Sequence, residues 1–213
     1  MPWLLVVVVV GYLVGSIPTA FLFVRWKSQL DIREVGSGNV GTLNSYQVTK
    51  SKLVGVAVLV ADFLKGVVAV HLGSLIAPEL GFTASATGGV AAVVGHNYPI
   101  WLRFRGGRGL ATAAGVLVPL QWLVVAFWGG WWAIGFWITR KVNVGNVVGC
   151  VITLLAAVFL PEKFLFPLLP AGADNAEFRL FGVLLIAVLL IKHIGPMKEY
   201  LDERRAGGKH PSV

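Results

Sequence analysis

A run of small polar residues between Arg33 and Lys50 offers the clearest chemistry in the chain. Three glycines alternate there with short amide and hydroxyl side chains, in the order Gly36, Ser37, Gly38, Asn39, Val40, Gly41, Thr42, Leu43, Asn44. Glycine permits positive φ angles, so backbone N–H groups can point together into a concavity that suits a phosphate oxygen. The alternative is a flexible turn between two helices. We interpret the run as an anion-binding nest.

Two nucleotide-binding motifs fit this run less well. The spacing of Gly36, Gly38 and Gly41 matches a dinucleotide fingerprint, but that motif requires a preceding strand and a βαβ unit. A P-loop requires Lys and then Ser or Thr after its last glycine, where this chain has Thr42 and Leu43. We set the dinucleotide fingerprint aside because apolar helical runs flank the segment, and the P-loop because its Lys is absent.

A second polar segment combines glycines with arginines. It holds His96 and then Arg103, Arg105, Gly106, Gly107, Arg108 and Gly109, directly before a long apolar run. Free N–H groups at a helix start attract anions, and arginines supply forked donors for phosphate or carboxylate. The alternative is that these arginines only contact lipid headgroups. Because that alternative explains the charge but not the glycines, we predict a second anion-binding turn.

A third segment places amides and a glycine at another helix start, with Asn143, Gly145 and Asn146. These amides could instead simply cap the helix. All three polar segments are predicted to reach the same membrane face, and this convergence is the main reason to propose a pocket there.

Two charged residues lie inside an apolar run. Asp62 and Lys65 are three residues apart, so a helix presents both on one face. An intramembrane charge costs at least about 2.5 kcal/mol unless it is paired or hydrated. Two interpretations stay open: the pair is purely structural, or it also supports the pocket. His96 and His193 lie beside polar segments and are candidate ligand contacts.

The composition is that of a membrane protein. Of the 213 residues, 56% are apolar and 13% are charged, with a mean hydropathy of +0.78, whereas soluble domains have about 25% charged residues. The net charge of +8 must then sit in short loops, which argues against a nucleic-acid partner. A single cysteine, Cys150, excludes an intrachain disulfide.

Six apolar runs are candidates for crossing a bilayer, which takes roughly 20 residues per helix. They are Trp3–Val24, Leu53–Ala77, Phe82–Trp101, Leu110–Ile138, Val142–Leu160 and Phe178–Ile194. The fourth run contains Pro119, which predicts a half-span, Leu110–Val118, followed by a full helix, Leu120–Thr139. The division gives seven spans.

The distribution of basic residues favours seven spans over six. With the N-terminus outside, seven spans leave fifteen of the 18 lysines and arginines on the cytoplasmic side, as the positive-inside rule requires. We therefore predict an all-α, polytopic integral membrane protein with seven transmembrane helices and a cytoplasmic C-terminus. Residues 1–203 form one membrane-embedded domain, and residues 204–213 form a short, disordered basic tail.

These motifs resemble those of the bacterial acyl-phosphate:glycerol-3-phosphate acyltransferases, the PlsY family. The matching residues span nearly the whole chain: Gly36–Gly41 with Asn44, Asp62–Gly66, Gly95 and His96 with Pro99, Phe104–Thr112, Gly145, and a basic residue before His193. The resemblance implies seven helices with the N-terminus outside, in agreement with the charge count. It also implies transfer of a fatty acyl group from acyl phosphate to the 1-hydroxyl of glycerol 3-phosphate, giving lysophosphatidic acid and phosphate in phospholipid synthesis.

The same resemblance implies residue roles. Ser37 and Arg108 contact glycerol 3-phosphate, and His193 orients this acceptor; these three are the expected catalytic residues. Asp62 and Lys65 support the site. The expected substrate-binding residues are Gly36, Gly38, Asn39, Gly41, Asn44, His96, Arg105, Gly106, Gly107, Gly109, Asn143, Gly145 and Asn146.

The reaction is expected to need no metal or cofactor, because phosphate is already a good leaving group and positioning with charge stabilisation can supply much of the rate. The expected partners are acyl phosphate, glycerol 3-phosphate and membrane lipids. We expect a monomer in the bacterial inner membrane, with its active site facing the cytoplasm and the acyl chain lying among the helices.

The chain departs from the family pattern at several positions. Gln47 and Arg108 stand where Arg and Lys are usual, Asn143 and Asn146 replace serines, Thr42 and Leu43 replace Ala and Thr, and Pro196 replaces an asparagine. These departures leave open another acceptor or a lipid-phosphate-binding member without activity. The broken helix and the basic glycine loops leave open a third alternative, an anion transporter, although no internal repeat is visible. Acyltransferases that use a His followed five positions later by Asp are excluded, because no histidine here has that Asp.

Overall fold

The computed structural model describes residues 2–165, 169–170 and 172–205. Within these ranges every regular element is helical, as the apolar runs predict. Short 3₁₀ turns at Pro78–Leu80 and Ile100–Leu102 join longer elements. The α-helices are α1 (Pro2–Ser16), α2 (Thr19–Ser28), α3 (Thr42–Thr49), α4 (Lys52–Ile76), α5 (Gly81–Asn97), α6 (Leu110–Thr139), α7 (Val142–Phe159), α8 (Glu162–Leu165), α9 (Asn175–Ile191) and α10 (Ile194–Arg205).

Four helical stretches among the described residues are long and apolar enough to cross a membrane: α1 with α2, α4, α6 and α7. The number rises to five if α9 and α10, which meet at a 51° bend, form one span. The all-helical, membrane-type architecture is confirmed, whereas the seven spans and the orientation of the termini stay predictions.

The first predicted span, Trp3–Val24, is interrupted where we expected one continuous helix. Helix α1 ends at Ser16 and α2 begins at Thr19, because Pro18 has no N–H to donate to the helical ladder. The Ile17 carbonyl oxygen at this break lies 3.1 Å from Lys65 Nζ on α4. The interruption therefore faces a charged group of a neighbouring helix.

Three other boundaries differ from the predicted runs. Helix α5 stops at Asn97, before the predicted end at Trp101, since Pro99 disfavours helical backbone in the residue before it. Helix α9 begins three residues before the predicted start at Phe178, at a capping box formed by Asp174 and Glu177. Helix α3 lies inside the first polar loop and was not predicted.

The bend in the fourth run falls close to its predicted position. Gln121 has non-helical backbone angles of φ −162° and ψ 87°, two residues after Pro119. Proline is a usual cause of such a kink because its ring clashes with the preceding turn. The bend therefore separates the predicted half-span, Leu110–Val118, from the rest of α6.

Helix α5 packs against both α1 and α4 through backbone contacts that only glycine permits. A Cβ atom on Gly88 would lie 2.6 Å from the carbonyl oxygen of Ala69 on α4, and one on Gly11 of α1 would lie 2.5 Å from the carbonyl oxygen of Gly88. Small residues let helices approach closely where no hydrophobic force drives their association. This packing fixes the position of the end of α5, where His96 lies.

Helix α9 is held at its N-terminal end by two neighbours. Arg179 donates to the carbonyl oxygens of Ala157, Val158 and Leu160 at the end of α7, at 2.6–2.9 Å. Thr83 near the start of α5 donates to the Glu177 carboxylate at 2.5 Å. These contacts lie at the end of the bundle opposite the second polar segment.

The chain continues as a helix beyond the predicted start of the tail at residue 204. Helix α10 extends through Arg205, and residues 206–213 of the predicted tail lie outside the described residues. The single-domain division at residue 203 stays a prediction. Pro196 lies in the first turn of α10, where a missing N–H leaves no helical hydrogen bond unmade.

Candidate active site

The first glycine turn, residues 36–41, is folded around the buried side chain of Asn44. Asn44 Oδ1 accepts a hydrogen bond from the Ser37 N–H at 3.0 Å. Asn44 Nδ2 lies 3.0–3.2 Å from the carbonyl oxygens of Ile32, Val35 and Asn39. Because Asn44 is only 1% exposed, the structure places it beneath the turn, where it organises the backbone.

Glycine supplies the backbone geometry of this turn. Gly36 and Gly38 have φ angles of +60° and +67°, in the left-handed region that side chains other than glycine rarely adopt. Gly41 ends the turn as the N-cap residue of α3. Ser37 is exposed and Asn39 is half-buried. The outer surface of the turn is therefore accessible to a ligand.

The second glycine turn, residues 105–109, packs on the end of α5. The Gly107 N–H donates to the His96 carbonyl oxygen at 3.1 Å. A Cβ atom on Gly106 would collide with the His96 carbonyl, and one on Gly107 would collide with the His96 ring. Gly109, with a φ of +81°, is the N-cap residue of α6. These glycines allow the turn to lie directly on His96.

The two glycine turns are in contact with each other. Arg33 Nη1 lies 3.4 Å from the Leu102 carbonyl oxygen, and Arg105 Nη2 lies 3.4 Å from the Arg33 carbonyl oxygen. A Cβ atom on Gly107 would lie 2.5 Å from the Val40 carbonyl oxygen. Arg105 itself is exposed. The two turns therefore form one continuous surface.

Beneath that surface lies a buried charge cluster of Asp62, Lys65, His96 and Thr19. Asp62 Oδ1 lies 2.8 Å from Lys65 Nζ, 3.5 Å from His96 Nδ1 and 2.5 Å from the Thr19 hydroxyl that donates to it. The three titratable residues are 1–7% exposed. The predicted pairing of Asp62 with Lys65 is present, and His96 extends it to the second glycine turn. His96 is thus placed within the protein interior, below the surface that a ligand would contact.

Arg108 connects the second glycine turn to the start of α7. Its Nη1 donates to Asn143 Oδ1 at 2.5 Å. Burial lowers the pKa of Arg108, and the carboxylate of Glu199 opposes that change. A half-buried guanidinium in this position would be stabilised by an anion bound beside it.

His193 is held by an amide and a carbonyl. Asn146 Nδ2 lies 3.3 Å from His193 Nε2, and His193 Nδ1 lies 2.8 Å from the Leu189 carbonyl oxygen. Since a carbonyl can only accept, the neutral ring carries its proton on Nδ1, and Nε2 accepts from Asn146. The Trp132 indole N–H donates to Asn146 Oδ1 at 2.9 Å and fixes the orientation of that amide.

Gly145 brings α7 close to α6 beside these amides. A Cβ atom there would lie 2.8 Å from the Trp132 carbonyl oxygen. The three residues of the predicted third segment therefore have different contacts. Asn143 contacts Arg108, Asn146 contacts His193, and Gly145 allows α7 to pack closely against α6.

Two contributors were not identified in the sequence. Thr19 donates to Asp62, and Trp132 orients Asn146. A signal for Trp132 exists in hindsight, because an indole N–H inside an apolar run needs an acceptor and Asn146 is an amide within the next span. A signal for Thr19 is its position directly after Pro18, because a proline can interrupt a helix and so change which neighbours the next side chain contacts.

An apolar cavity of about 260 Å³ begins beside the second glycine turn, between α6, α7 and α9. Leu110, which follows Gly109, and Leu189 line its near end. Leu160 and Phe178 line its far end. Phe127, which is 43% exposed, forms part of its wall, so the cavity can be reached from the side of the helix bundle.

Comparison with known protein sequences gives a consistent result. The pattern of the family described as "Glycerol-3-phosphate acyltransferase" matches residues 5–203. A glycerol-3-phosphate acyltransferase of Thermoanaerobacter sp. (strain X514) is 32% identical over 210 residues, which cover 94% of each chain. Glycerol-3-phosphate acyltransferase 2 of Moorella thermoacetica is 39% identical over 163 residues, which cover 74% of this chain and 78% of that protein.

Solved structures give the same result. The chain is similar to the glycerol 3-phosphate form of PlsY (YgiH), an integral membrane glycerol 3-phosphate acyltransferase, with a TM-score of 0.73, 30% identity, and coverage of 99% of this chain and 96% of that one. The lysophosphatidic acid form of PlsY matches with a TM-score of 0.73 and 29% identity, over 97% of this chain and 94% of that one. The resemblance seen in the motifs is therefore confirmed, and the chain belongs to the glycerol-3-phosphate acyltransferase (PlsY) family.

Proposed function

We propose that this protein transfers a fatty acyl group from acyl phosphate to the 1-hydroxyl of glycerol 3-phosphate and releases lysophosphatidic acid and phosphate. One observation carries the proposal: two touching glycine turns and Arg108 lie at the end of an apolar cavity. Both substrates carry a phosphate group, and the donor also carries an acyl chain. A surface for oxyanions beside a slot for hydrocarbon suits this pair of molecules.

The polar surface supports binding of two phosphates. Exposed Ser37 and the half-buried guanidinium of Arg108 are available to glycerol 3-phosphate, as the family resemblance implies. The backbone N–H groups of the two glycine turns would hold the phosphate of the donor, since successive amides in such turns form anion-binding concavities. Arg108 presents a fork of donors that can bind two phosphate oxygens at once.

The reaction follows from the chemistry of the donor. The hydroxyl oxygen of glycerol 3-phosphate attacks the carbonyl carbon of acyl phosphate, and the bond from that carbon to the bridging phosphate oxygen breaks. Phosphate leaves with the electron pair and the hydroxyl proton is taken up by a phosphate oxygen. The protein contributes by holding the hydroxyl near the carbonyl and by stabilising negative charge with Arg108 and backbone N–H groups.

His193 acts as a positioning group in this scheme. Both of its ring nitrogens already have partners, Asn146 and the Leu189 carbonyl. It therefore holds the ends of α7 and α9 together around the acceptor site, and Asp62 and Lys65 do the same for the second glycine turn through His96.

We propose the membrane arrangement that the positive charges favour: seven spans, the N-terminus outside, and the site facing the cytoplasm of a bacterial inner membrane. Acyl phosphate reaches the cavity from the bilayer, whereas glycerol 3-phosphate arrives from water. The proposed unit is the monomer, because the polar segments that form the site all belong to one chain.

The proposal is tested with purified protein in liposomes, palmitoyl phosphate and labelled glycerol 3-phosphate. We expect lysophosphatidic acid in the absence of coenzyme A and acyl carrier protein. The double variant with Ser37→Ala and Arg108→Ala should lose turnover but insert normally. Lys163→Ala, which removes an exposed cation of α8 beyond the opposite end of α7, should keep the wild-type rate. Failure to form any acylated product with several acceptors would refute the proposal.

A second candidate is the same transfer to another acceptor. Gln47, at the position of a usual family arginine, is exposed on α3 just after the first glycine turn, so this side of the surface has one cation fewer than the family pattern. Acceptor competition with palmitoyl phosphate held constant separates the two candidates. Preferred use of an uncharged polyol over glycerol 3-phosphate would favour the second.

A further inference from the structure

The apolar cavity follows one face of α9 for most of the length of that helix. Phe178, Phe181, Gly182, Leu185 and Leu189 all line it, at the three- and four-residue spacing of a single helical face. Eleven residues separate Phe178 from Leu189, which corresponds to about 16 Å along the helix axis. One leaflet of a bilayer core is about 15 Å deep, half of roughly 30 Å. The cavity is therefore as long as an ordinary membrane acyl chain.

The near end of the cavity meets the second glycine turn directly. A Cβ atom on Gly109 would lie 3.1 Å from the Leu189 side chain, and Leu110 lines the cavity immediately after Gly109. An acyl chain in the cavity would thus have its carboxyl end at the turn and its methyl end toward Phe178.

The middle of the cavity is bounded by two very small residues that face each other. A Cβ atom on Gly182 of α9 would lie 3.4 Å from Ala157 Cβ of α7, an ordinary contact distance. By contrast, a Cβ atom on Gly115 of α6 would collide with the Phe63 backbone, so that glycine is required for helix packing. Among the described residues Gly182 has no such backbone neighbour, so its small size leaves space in the cavity.

The far end of the cavity lies where the end of α7 meets the start of α9. Arg179 holds the carbonyl oxygens of Ala157, Val158 and Leu160 at the end of α7, and Leu160 and Phe178 line the cavity there. Because three hydrogen bonds fix this junction of α7 and α9, the end of the cavity has a defined position.

From this geometry we infer that the small size of Gly182 and Ala157 keeps the cavity open along its length, and that these two residues decide whether the protein accepts acyl chains about as long as one leaflet is deep. The inference rests on the proposed acyl transfer. A side chain larger than methyl at either position would divide the cavity about seven residues from Leu189, or about 10 Å along α9, and leave room for short chains alone.

The test measures kcat/KM for a series of acyl phosphates from octanoyl to stearoyl. For Gly182→Leu we expect octanoyl phosphate to react at the wild-type rate and palmitoyl phosphate to fall by roughly tenfold or more, since a pocket discriminates strongly against carbons it cannot accommodate. Ala157→Leu adds a side chain of the same size from the facing helix, α7, and should cause the same change in chain-length preference. Gly182→Ala should change little.

A matched control adds bulk elsewhere in the bundle. Thr87 lines a different apolar cavity, of about 330 Å³, between α1, α5 and α9. Thr87→Leu should leave the chain-length profile unchanged. An equal loss for all chain lengths in both cavity variants, or an unchanged profile in both, would overturn the inference.

Binding without turnover separates this inference from the proposed function. Thermal stabilisation by alkyl phosphates, from octyl to octadecyl, needs no acceptor and no reaction. Wild-type protein should be stabilised most by hexadecyl phosphate, and Gly182→Leu should lose that preference while keeping stabilisation by octyl phosphate. If the alkyl phosphates stabilise the proteins in this way but no acylated product forms in the activity assay, the proposed function is refuted and the cavity assignment stands. Stabilisation that does not depend on chain length would refute the cavity assignment.

Discussion

Arg108 and Arg179 lie at opposite ends of the helix bundle, and their guanidinium groups differ in how many hydrogen bonds they donate to the protein. Arg179 donates to three carbonyl oxygens at the end of α7, at 2.6–2.9 Å. Arg108 donates to one amide, that of Asn143, and its other N–H groups have no acceptor within the described residues. The guanidinium of Arg179 is occupied by the protein, whereas that of Arg108 is available to a ligand.

Glycines also serve two different purposes in this molecule. Gly88 and Gly115 lie where helices touch backbone to backbone, and a Cβ atom on either would collide with a neighbouring main chain. Gly36 and Gly38 lie in an accessible turn and are required for their positive φ angles. Residue type alone therefore does not distinguish a packing position from a binding position; the number of partners already engaged does.

The largest expected effect comes from removing the two arginines separately. Arg108→Ala should reduce kcat by about 10²–10³-fold, the usual cost of losing one preorganised charge-stabilising donor, while the melting temperature changes little. Arg179→Ala should lower the melting temperature and leave kcat nearly unchanged, because the last carbonyl groups of α7 lose their donor and Arg179 contacts no substrate. Activity and thermal unfolding are measured on the same preparations. Equal catalytic losses in the two variants would contradict the division between the two ends.

The next effect concerns the buried charge cluster. Removing one partner of a buried ion pair typically costs about 3–5 kcal/mol, so Asp62→Asn or Lys65→Met should strongly lower the melting temperature. The double variant with Asp62→Leu and Lys65→Met should recover much of the stability, because no unpaired charge is left in the interior. We expect its kcat to stay low, since His96 has lost the carboxylate that holds it under the second glycine turn. Full recovery of kcat would show that the cluster is structural alone.

The all-helical fold and most helix positions could be predicted from the sequence. An uninterrupted apolar run of about 20 residues has the length of a membrane-spanning helix, and a helix satisfies all of its backbone hydrogen bonds within the run. The predicted start of α7 at Val142 is confirmed, and the kink of α6 lies within two residues of Pro119. The break at Pro18 was missed, because a proline inside a membrane helix can be accommodated by neighbouring groups. Here that neighbour is Lys65, which is distant in sequence.

Candidate residues of the site were recognisable by type, but their contacts were not. Asn44 was expected to contact substrate, yet it lies buried beneath the first glycine turn. His193 was expected to orient the acceptor, and the structure shows Asn146 and Leu189 engaging its two ring nitrogens. Whether an amide or imidazole faces a ligand or holds a backbone depends on tertiary contacts between distant segments, and no local pattern encodes them.

A smaller effect is expected from the amide under the first glycine turn. Asn44→Ala leaves the Ser37 N–H and three carbonyl oxygens without their partner, so the turn should become mobile. We expect the KM for glycerol 3-phosphate to rise about tenfold, in line with the 1–3 kcal/mol cost of an unsatisfied buried group. Asn175→Ala, at the start of α9 and the other end of the bundle, is the matched control and should leave that KM unchanged. A similar rise in both variants would point to general loosening of the fold.

The smallest expected effect is a pH dependence at the edge of the first glycine turn. Asp31 accepts hydrogen bonds from the backbone and guanidinium of Arg33, and that side chain lowers the pKa of Asp31 from 3.8 to about 2. Because the folded-state pKa lies below the unfolded value, the pair stabilises the protein at pH values above 3.8, and this contribution is lost as the pH falls toward 2. For a pair this close to the surface we expect no more than about 1 kcal/mol.

Asp31→Asn should therefore melt slightly below the wild type near neutral pH, and the two melting temperatures should converge as the pH approaches 2. Glu34→Gln, at an exposed carboxylate three residues away, controls for the general effect of removing a negative charge. Since Arg33 also contacts the loop that carries the second glycine turn, the KM for glycerol 3-phosphate should rise modestly in Asp31→Asn and not in Glu34→Gln. A constant melting difference at all pH values would show that the ion pair does not contribute to holding the two turns together.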